Sequence, residues 1–217
     1  MTPRGRKLQS FLAALQTATG EHVFNPWVDH DPTTDLSRTA TTSRLARLTS
    51  HLSTDARYVL IGEAAGYQGC KVSGIPFTSE RLILEARIPR ISADAPRLTS
   101  RPRPWSEPSA TTVWNTLHAL GIADETILWN AFPWHPHKPR MLHSNRTPTP
   151  AERSAGVEVL GQLLDLYPQA QVFAVGRNAE WGLQQVGREA APLRHPSMGG
   201  AKKFAQQLGA ARGAKPG

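Results

Sequence analysis

Three runs of this chain, "RYVLIG" (57–62), "ETILWNAF" (125–132) and "AQVFAVG" (170–176), are apolar almost without a break. They lack the in-and-out alternation of a strand with one wet face. A strand that is apolar on both sides must be covered on both sides, which is the situation in the middle of a parallel sheet with helices above and below. The segments between the runs supply those helices. "RKLQSFLAALQTA" puts Leu8, Phe11, Leu12 and Leu15 on one helical face, and "SRLARLTSHL" does the same with Leu45, Leu48 and Leu52. "SATTVWNTLHALGI" reads as a helix stopped by Gly121. "TPAERSAGVEVLGQLLDLYP" opens with Thr149 as N-cap, Pro150 in the first turn and Glu152 closing a capping box. "RNAEWGLQQVG" and "GGAKKFAQQLGAA" are further helices, and "APLRHPS" is a fourth strand running into a loop. Strands alternating with helices define an α/β fold: three layers, α/β/α, around a central, mostly parallel four-stranded sheet. The 217 residues suit one domain. We expect N-terminal helices in 1–56, the core in 57–208 and a frayed tail at 209–217.

In such sheets ligands collect beyond the carboxyl ends of the strands. Three loops therefore carry the chemistry: after Ile61, after Trp129 and around His195. With 25 Lys and Arg against 17 Asp and Glu, the net charge of +8 favours a polyanionic partner, most simply nucleic acid. Cys70 is the single cysteine, which excludes an internal disulfide and a cysteine-held zinc or iron–sulfur site, and reads as cytosolic. The N-terminal stretch is basic and then amphipathic, broken by Gln and Thr. It reads as neither a signal peptide nor a membrane span.

"GEAAGYQG" follows a strand but has neither the GK[ST] of a Walker loop nor the dinucleotide GxGxxG. Glu63 is either a solvated carboxylate in a tight turn or a functional acid. Phe77, in "SGIPF", is either core or a stacking platform for a base. Asn130 ends an otherwise apolar strand, where it either closes a turn or holds an amide with one donor and one acceptor edge. His135, His137 and His143 do not have the spacing of a zinc site. They read as a solvent-facing basic loop that, with Lys138, Arg140 and Arg146, suits phosphates. His195, in "RHPSMGG", is either a satisfied loop histidine or a donor aimed into a pocket, with glycines behind it allowing close backbone approach.

Three motifs, "GEAAGYQGCKVSGIPF", "NAFPWHPHKPRMLHSNRTPTPAE" and "HPSMGG", together resemble the uracil-DNA glycosylase superfamily in order and separation. The resemblance covers Tyr58 to Phe204. It is nearest to the iron–sulfur branch, which has GEAPG, then G-x-PF, then an Asn-led loop ending N-R-x-P-x-x-x-E, then HPS. This chain departs from that pattern at Ala65, where the branch has Pro, and in lacking the cluster cysteines, Trp134 standing where one ligand would be. Gly66 stands where the main branch carries a tyrosine that excludes thymine, with Tyr67 one place later.

The resemblance implies a monomeric DNA repair enzyme that hydrolyses the N-glycosidic bond of uracil flipped out of DNA. It implies no cofactor, no metal and no membrane partner. Phe77 would stack on the base, Asn130 would pair with N3–H and O4, and Gly62 and Ala64 would line the base. His195 would stabilise the charge developing at O2, and Glu63 the cationic sugar or the attacking water. Met198, flanked by Ser197 and Gly199, would wedge into the vacated stack. Arg140, Arg146, Lys202 and Lys203 would hold phosphates. A uracil-DNA or abasic-site binding protein with little turnover, and an unrelated nucleotide- or RNA-binding α/β protein, remain as alternatives.

Overall fold

A computed structural model describes residues 2–17 and 20–213. In chain order the elements are α1 (Pro3–Thr17), β1 (Val23–Phe24), α2 (Ala40–His51), β2 (Tyr58–Ala64), α3 (Cys70–Ser73), α4 (Glu80–Leu84), α5 (Pro108–Ala119), β3 (Thr126–Phe132), β4 (His135–Pro136), α6 (Pro150–Leu164), β5 (Gln171–Val175), α7 (Arg177–Gln185), β6 (Ala191–Leu193) and α8 (Ala201–Ala211). The main sheet has the order β3-β2-β5-β6 and every pairing in it is parallel. The expected α/β architecture is thus present, with a four-stranded parallel sheet.

The pleat explains why the strand runs are apolar throughout. Val59 and Ile61 join one core with Phe11, Leu15, Leu48, Trp129 and Leu160, under α1, α2, α6 and α7. Leu60, between them, joins a second core with Trp114, Leu117, Leu128, Phe173 and Phe204, under α4, α5 and α8. Successive side chains point to opposite faces, and both faces are covered. Trp129 is wholly buried, stacked on Trp27 at 6.0 Å and tilted against Phe11 at 5.2 Å. The capping box of α6 forms as expected: Glu152 N–H donates to Thr149 Oγ1, and Thr149 N–H donates to Glu152 Oε2 at 2.7 Å. Gly121, just past α5, takes φ +67°. Of the tail expected to fray, residues 209–211 continue α8, and 214–217 lie outside the described residues.

The loop after β3 differs from expectation. It is not a solvent-facing histidine loop at its start, because β4 pairs antiparallel with β1 and draws His135 fully inside. His143 hydrogen-bonds Asp31 Oδ2 at 2.8 Å. Asp31 is itself buried, and also accepts from Lys71 Nζ at 2.7 Å and from Thr33 and Thr34. Burial alone would raise the Asp31 carboxyl, but these hydrogen bonds hold it below the usual carboxylate range. Arg44 pairs with Asp35 in the same region. Each partner removed singly would strand a buried charge. This network ties the N-terminal segment to α3 and to the loop after β3.

His51 joins α2 to the sheet by accepting Leu128 N–H at Nε2, 3.0 Å away. That contact requires a free lone pair, so only the neutral ring satisfies it. Burial first, and the nearby Arg90 second, lower its pKa to about 3. The unfolded chain binds this proton near the ordinary value of about 6.5. Between these values the unfolded state holds more protons, so stability is fully present above the unfolded value and falls as pH drops toward the folded one. We expect His51 to account for a loss of about 2 kcal/mol between pH 7.5 and pH 5. Urea unfolding at the two pH values measures it. A His51→Gln variant should show a smaller difference, and an equal one would place the acid sensitivity elsewhere.

Candidate active site

The parallel sheet brings the carboxyl ends of β2, β3, β5 and β6 to one rim, and the residues singled out in the sequence meet there. Gly62 pairs with Asn130 across β2 and β3. A Cβ on Gly62 would lie 2.4 Å from the Phe77 ring and 2.6 Å from Asn130 Oδ1. The missing side chain is therefore what lets ring and amide close over the strand. Phe77 is held at φ +50°, a backbone region that costs an aromatic residue free energy and recurs at binding sites. Asn130 is 3% exposed, yet its amide has no hydrogen-bond partner among the described residues. Buried amides are normally paired. Ala64, at the end of β2, is half-buried.

The Phe77 and His195 rings lie 6.2 Å apart. Ser197 N–H donates to His195 Nδ1 at 3.2 Å, and Ser197 Oγ stands 2.7 Å from the same nitrogen. A backbone N–H can only donate, so Nδ1 is an acceptor and the neutral ring carries its proton on Nε2. Nε2 has no protein partner among the described residues. Burial lowers the His195 pKa, Glu63 opposes that and Arg194 adds to it, with a net shift downward. The ring is thus a neutral donor at ordinary pH.

Glu63 is aimed by α7. Its Oε1 accepts Asn178 N–H at 3.1 Å, at the positive end of the helix. Gly176, at φ +97°, turns the chain beside it, and a Cβ there would stand 2.8 Å from Oε1. A cleft of about 950 Å³ opens over Glu63, His195 and Ser197, bordered by Arg153, Arg177, Arg194 and Lys203. Phe77 and Asn130 pack beside this cleft and do not line it. The loop after β5, "GRNAE", was not among the three loops expected to carry chemistry. The signal was available, since it too follows the carboxyl end of an apolar strand.

Met198 is 91% exposed at φ +53°, followed by Gly199 at φ +74°. An apolar side chain is thus held out in solvent by a left-handed turn. Lys202, Lys203 and Arg140 are exposed. Arg146 departs from its expected role at phosphate. Its Nε donates to His137 O, and its two terminal nitrogens bind both oxygens of Glu152 at 2.6 Å, Thr147 O and His22 O. All five donors are engaged within the protein, so Arg146 braces the loop. Among the described residues no group of three His, Cys, Asp or Glu side chains could hold a metal ion, and no helix is long and apolar enough to cross a membrane.

An acid oriented by a helix terminus, a neutral histidine donor, a buried amide and an aromatic ring together make a site able to bind a planar heterocycle and stabilise charge around it. The family model described as the uracil DNA glycosylase superfamily matches residues 49–209. The chain belongs to the uracil DNA glycosylase superfamily, which supports a glycosylase-type function. Among solved structures it is similar to wild-type SMUG2 of Pedobacter heparinus, with a TM-score of 0.66 at 17% identity over 97% of each chain. That likeness is one of fold. A search of curated proteins finds no significant match.

Proposed function

We propose that the protein excises uracil from DNA by hydrolysis, leaving an abasic site. The observation that carries this reading is the amide of Asn130, without a hydrogen-bond partner among the described residues and buried against Gly62 beside the Phe77 ring. Its oxygen can accept N3–H and its NH2 can donate to O4. Cytosine presents the reverse pattern and would leave both groups unpaired, which is the strong form of discrimination. Phe77 would carry the face of the flipped base.

As the C1′–N1 bond breaks, its electron pair stays on the uracil and positive charge grows on the sugar. The Nε2–H of His195 would meet the negative charge at O2. Glu63, with one oxygen held by α7, would present the other to the cationic sugar or to the water. The water oxygen bonds to C1′, and its proton passes by way of Glu63 or solvent to the uracil anion, which leaves as uracil. Met198 is suited to fill the space that the flipped nucleotide leaves. Lys202, Lys203, Arg140 and the cleft residues Arg177 and Arg194 are suited to phosphates.

The test is a set of duplex and single-stranded oligonucleotides, each with one uracil, hypoxanthine, xanthine or thymine, assayed for abasic sites. Uracil should be cleaved and undamaged DNA left intact. Asn130→Ala should keep its fold and lose about 1–3 kcal/mol of transition-state stabilisation on uracil, with its selectivity over cytosine reduced. An unchanged rate and selectivity would show that the Asn130 amide takes no part in reading the base. Tight uracil-specific binding with no abasic product would make the chain a binding protein instead.

A further inference from the structure

The loop after β2 has glycine at 66 and 69, and the space beside both is filled from elsewhere in the chain. A Cβ on Gly66 would lie 3.2 Å from Glu107 Oε1, and one on Gly69 would lie 1.8 Å from Glu107 Oε2. Glu107 lies in the stretch "RPRPWSEP" (101–108) and stands at the N-cap position of α5, but its side chain caps nothing. No hydrogen bond or ion pair of its carboxyl is found among the described residues. Burial pushes the group up to about 7. A recessed acid without a partner among the described residues has no evident structural task.

His195, after β6, lies on one flank of Glu63, and Asn130, on β3, lies on the other. A uracil with O2 toward His195 and O4 toward Asn130 turns its C5 past Asn130, on the β3 flank. That flank is walled by the loop after β3, where Asn145 Oδ1 accepts Tyr67 N–H at 3.1 Å and lies 4.0 Å from the Gly66 Cβ position. It is also walled by Glu107. The carbonyl of Thr78, next to Phe77, is 3.5 Å from the Gly69 Cβ position that Glu107 overlaps. The carboxyl therefore stands between the glycine loop and the segment that carries the ring.

We propose that Glu107 closes the pocket at C5 of the base and is the residue that excludes thymine in this chain. The inference rests on the uracil-excision reading. Gly66 has no side chain with which to meet a 5-methyl group, and Glu107 supplies the wall in its place. Uracil, with hydrogen at C5, leaves the carboxyl where it is. Thymine must press its methyl into the recessed carboxyl, adding desolvation to overlap.

Single-turnover abasic-site formation on U:G and T:G duplexes tests this. The wild type should act on uracil alone. Glu107→Ala should raise the ratio of thymine to uracil excision by roughly 10- to 200-fold, the range for one methyl group in an apolar pocket. Glu107→Gln, of the same volume, should stay inactive on thymine. Adding Gly66→Tyr to Glu107→Ala should remove the gained activity by refilling the space. If Glu107→Ala folds poorly, Glu107→Asp keeps the acid, shortens it by one methylene and should show the same gain. An alanine or aspartate variant that excises uracil with a thymine-to-uracil ratio no higher than that of wild type overturns the proposal, as does a glutamine variant as active on thymine as the alanine one. Should the wild type excise nothing, the comparison is read as binding to duplexes carrying U or T. The excision reading then fails alone, and Glu107 stands or falls on whether its loss admits thymine.

Discussion

Replacing His195 with alanine is expected to slow single-turnover uracil excision by roughly a hundred- to a thousandfold, the range for one preorganised donor to a developing anion. Binding to a duplex with a non-cleavable uracil analogue should change by only a few-fold, because the hydrogen bond strengthens as charge reaches O2 and not before. The reason is local. Ser197 N–H fixes Nδ1 as an acceptor, which leaves the proton on Nε2 without a partner among the described residues. Burial keeps the ring neutral by lowering its pKa, against the pull of Glu63. The rate should therefore hold steady as pH falls to the ordinary histidine value of about 6.5, and decline only below it. Binding and cleavage that fall together in the alanine variant would reduce His195 to a residue that shapes its loop. No change in either would remove it from the mechanism.

Gly62→Ala is expected to cost about a hundredfold in excision while the protein remains folded. Gly62 need not touch the base for this. Its absent Cβ is the space in which the Phe77 ring and Asn130 Oδ1 sit, at 2.4 and 2.6 Å from where that carbon would be. Both neighbours are buried and Phe77 is already at φ +50°, so neither can yield without leaving its place. A misplacement on the order of 1 Å in groups that orient a substrate is worth about 10²-fold. Single-turnover rates together with a thermal melt make the check. A folded Gly62→Ala protein of wild-type rate would show that ring and amide are not a preset platform.

Much of the fold was legible because it depends on short-range patterns. Continuous apolar runs demand a sheet covered on both faces, and Thr149, Pro150 and Glu152 specify where α6 begins within four residues. The placement of Asn130 and Glu63 at strand ends follows from the same patterns, since parallel strands deliver their carboxyl ends to one rim. The short elements were not legible. The two-residue strands β1 and β4 have no periodicity to read, and their pairing joins positions more than a hundred residues apart. Without that pairing, His135 looks like one more surface histidine.

By itself, the sequence determined the class of fold, the order of its layers and the strand ends at which chemistry could gather. Local patterning decides these, through side-chain periodicity and caps. Only the tertiary structure decided what each polar group faces. Arg146 reads as a phosphate ligand until its five donors meet Glu152 and three backbone carbonyls. Glu63 reads as a lone acid until Asn178, 115 residues away, orients it. Glu107 carries no motif at all, and its place beside Gly66 exists only once α5 has packed against the sheet. A hydrogen bond or a filled space depends on positions to within a fraction of an ångström, and those are set by contacts between distant segments. Hydrophobic periodicity determines which face of an element is buried, and it carries no information about which side chain from another segment will arrive there.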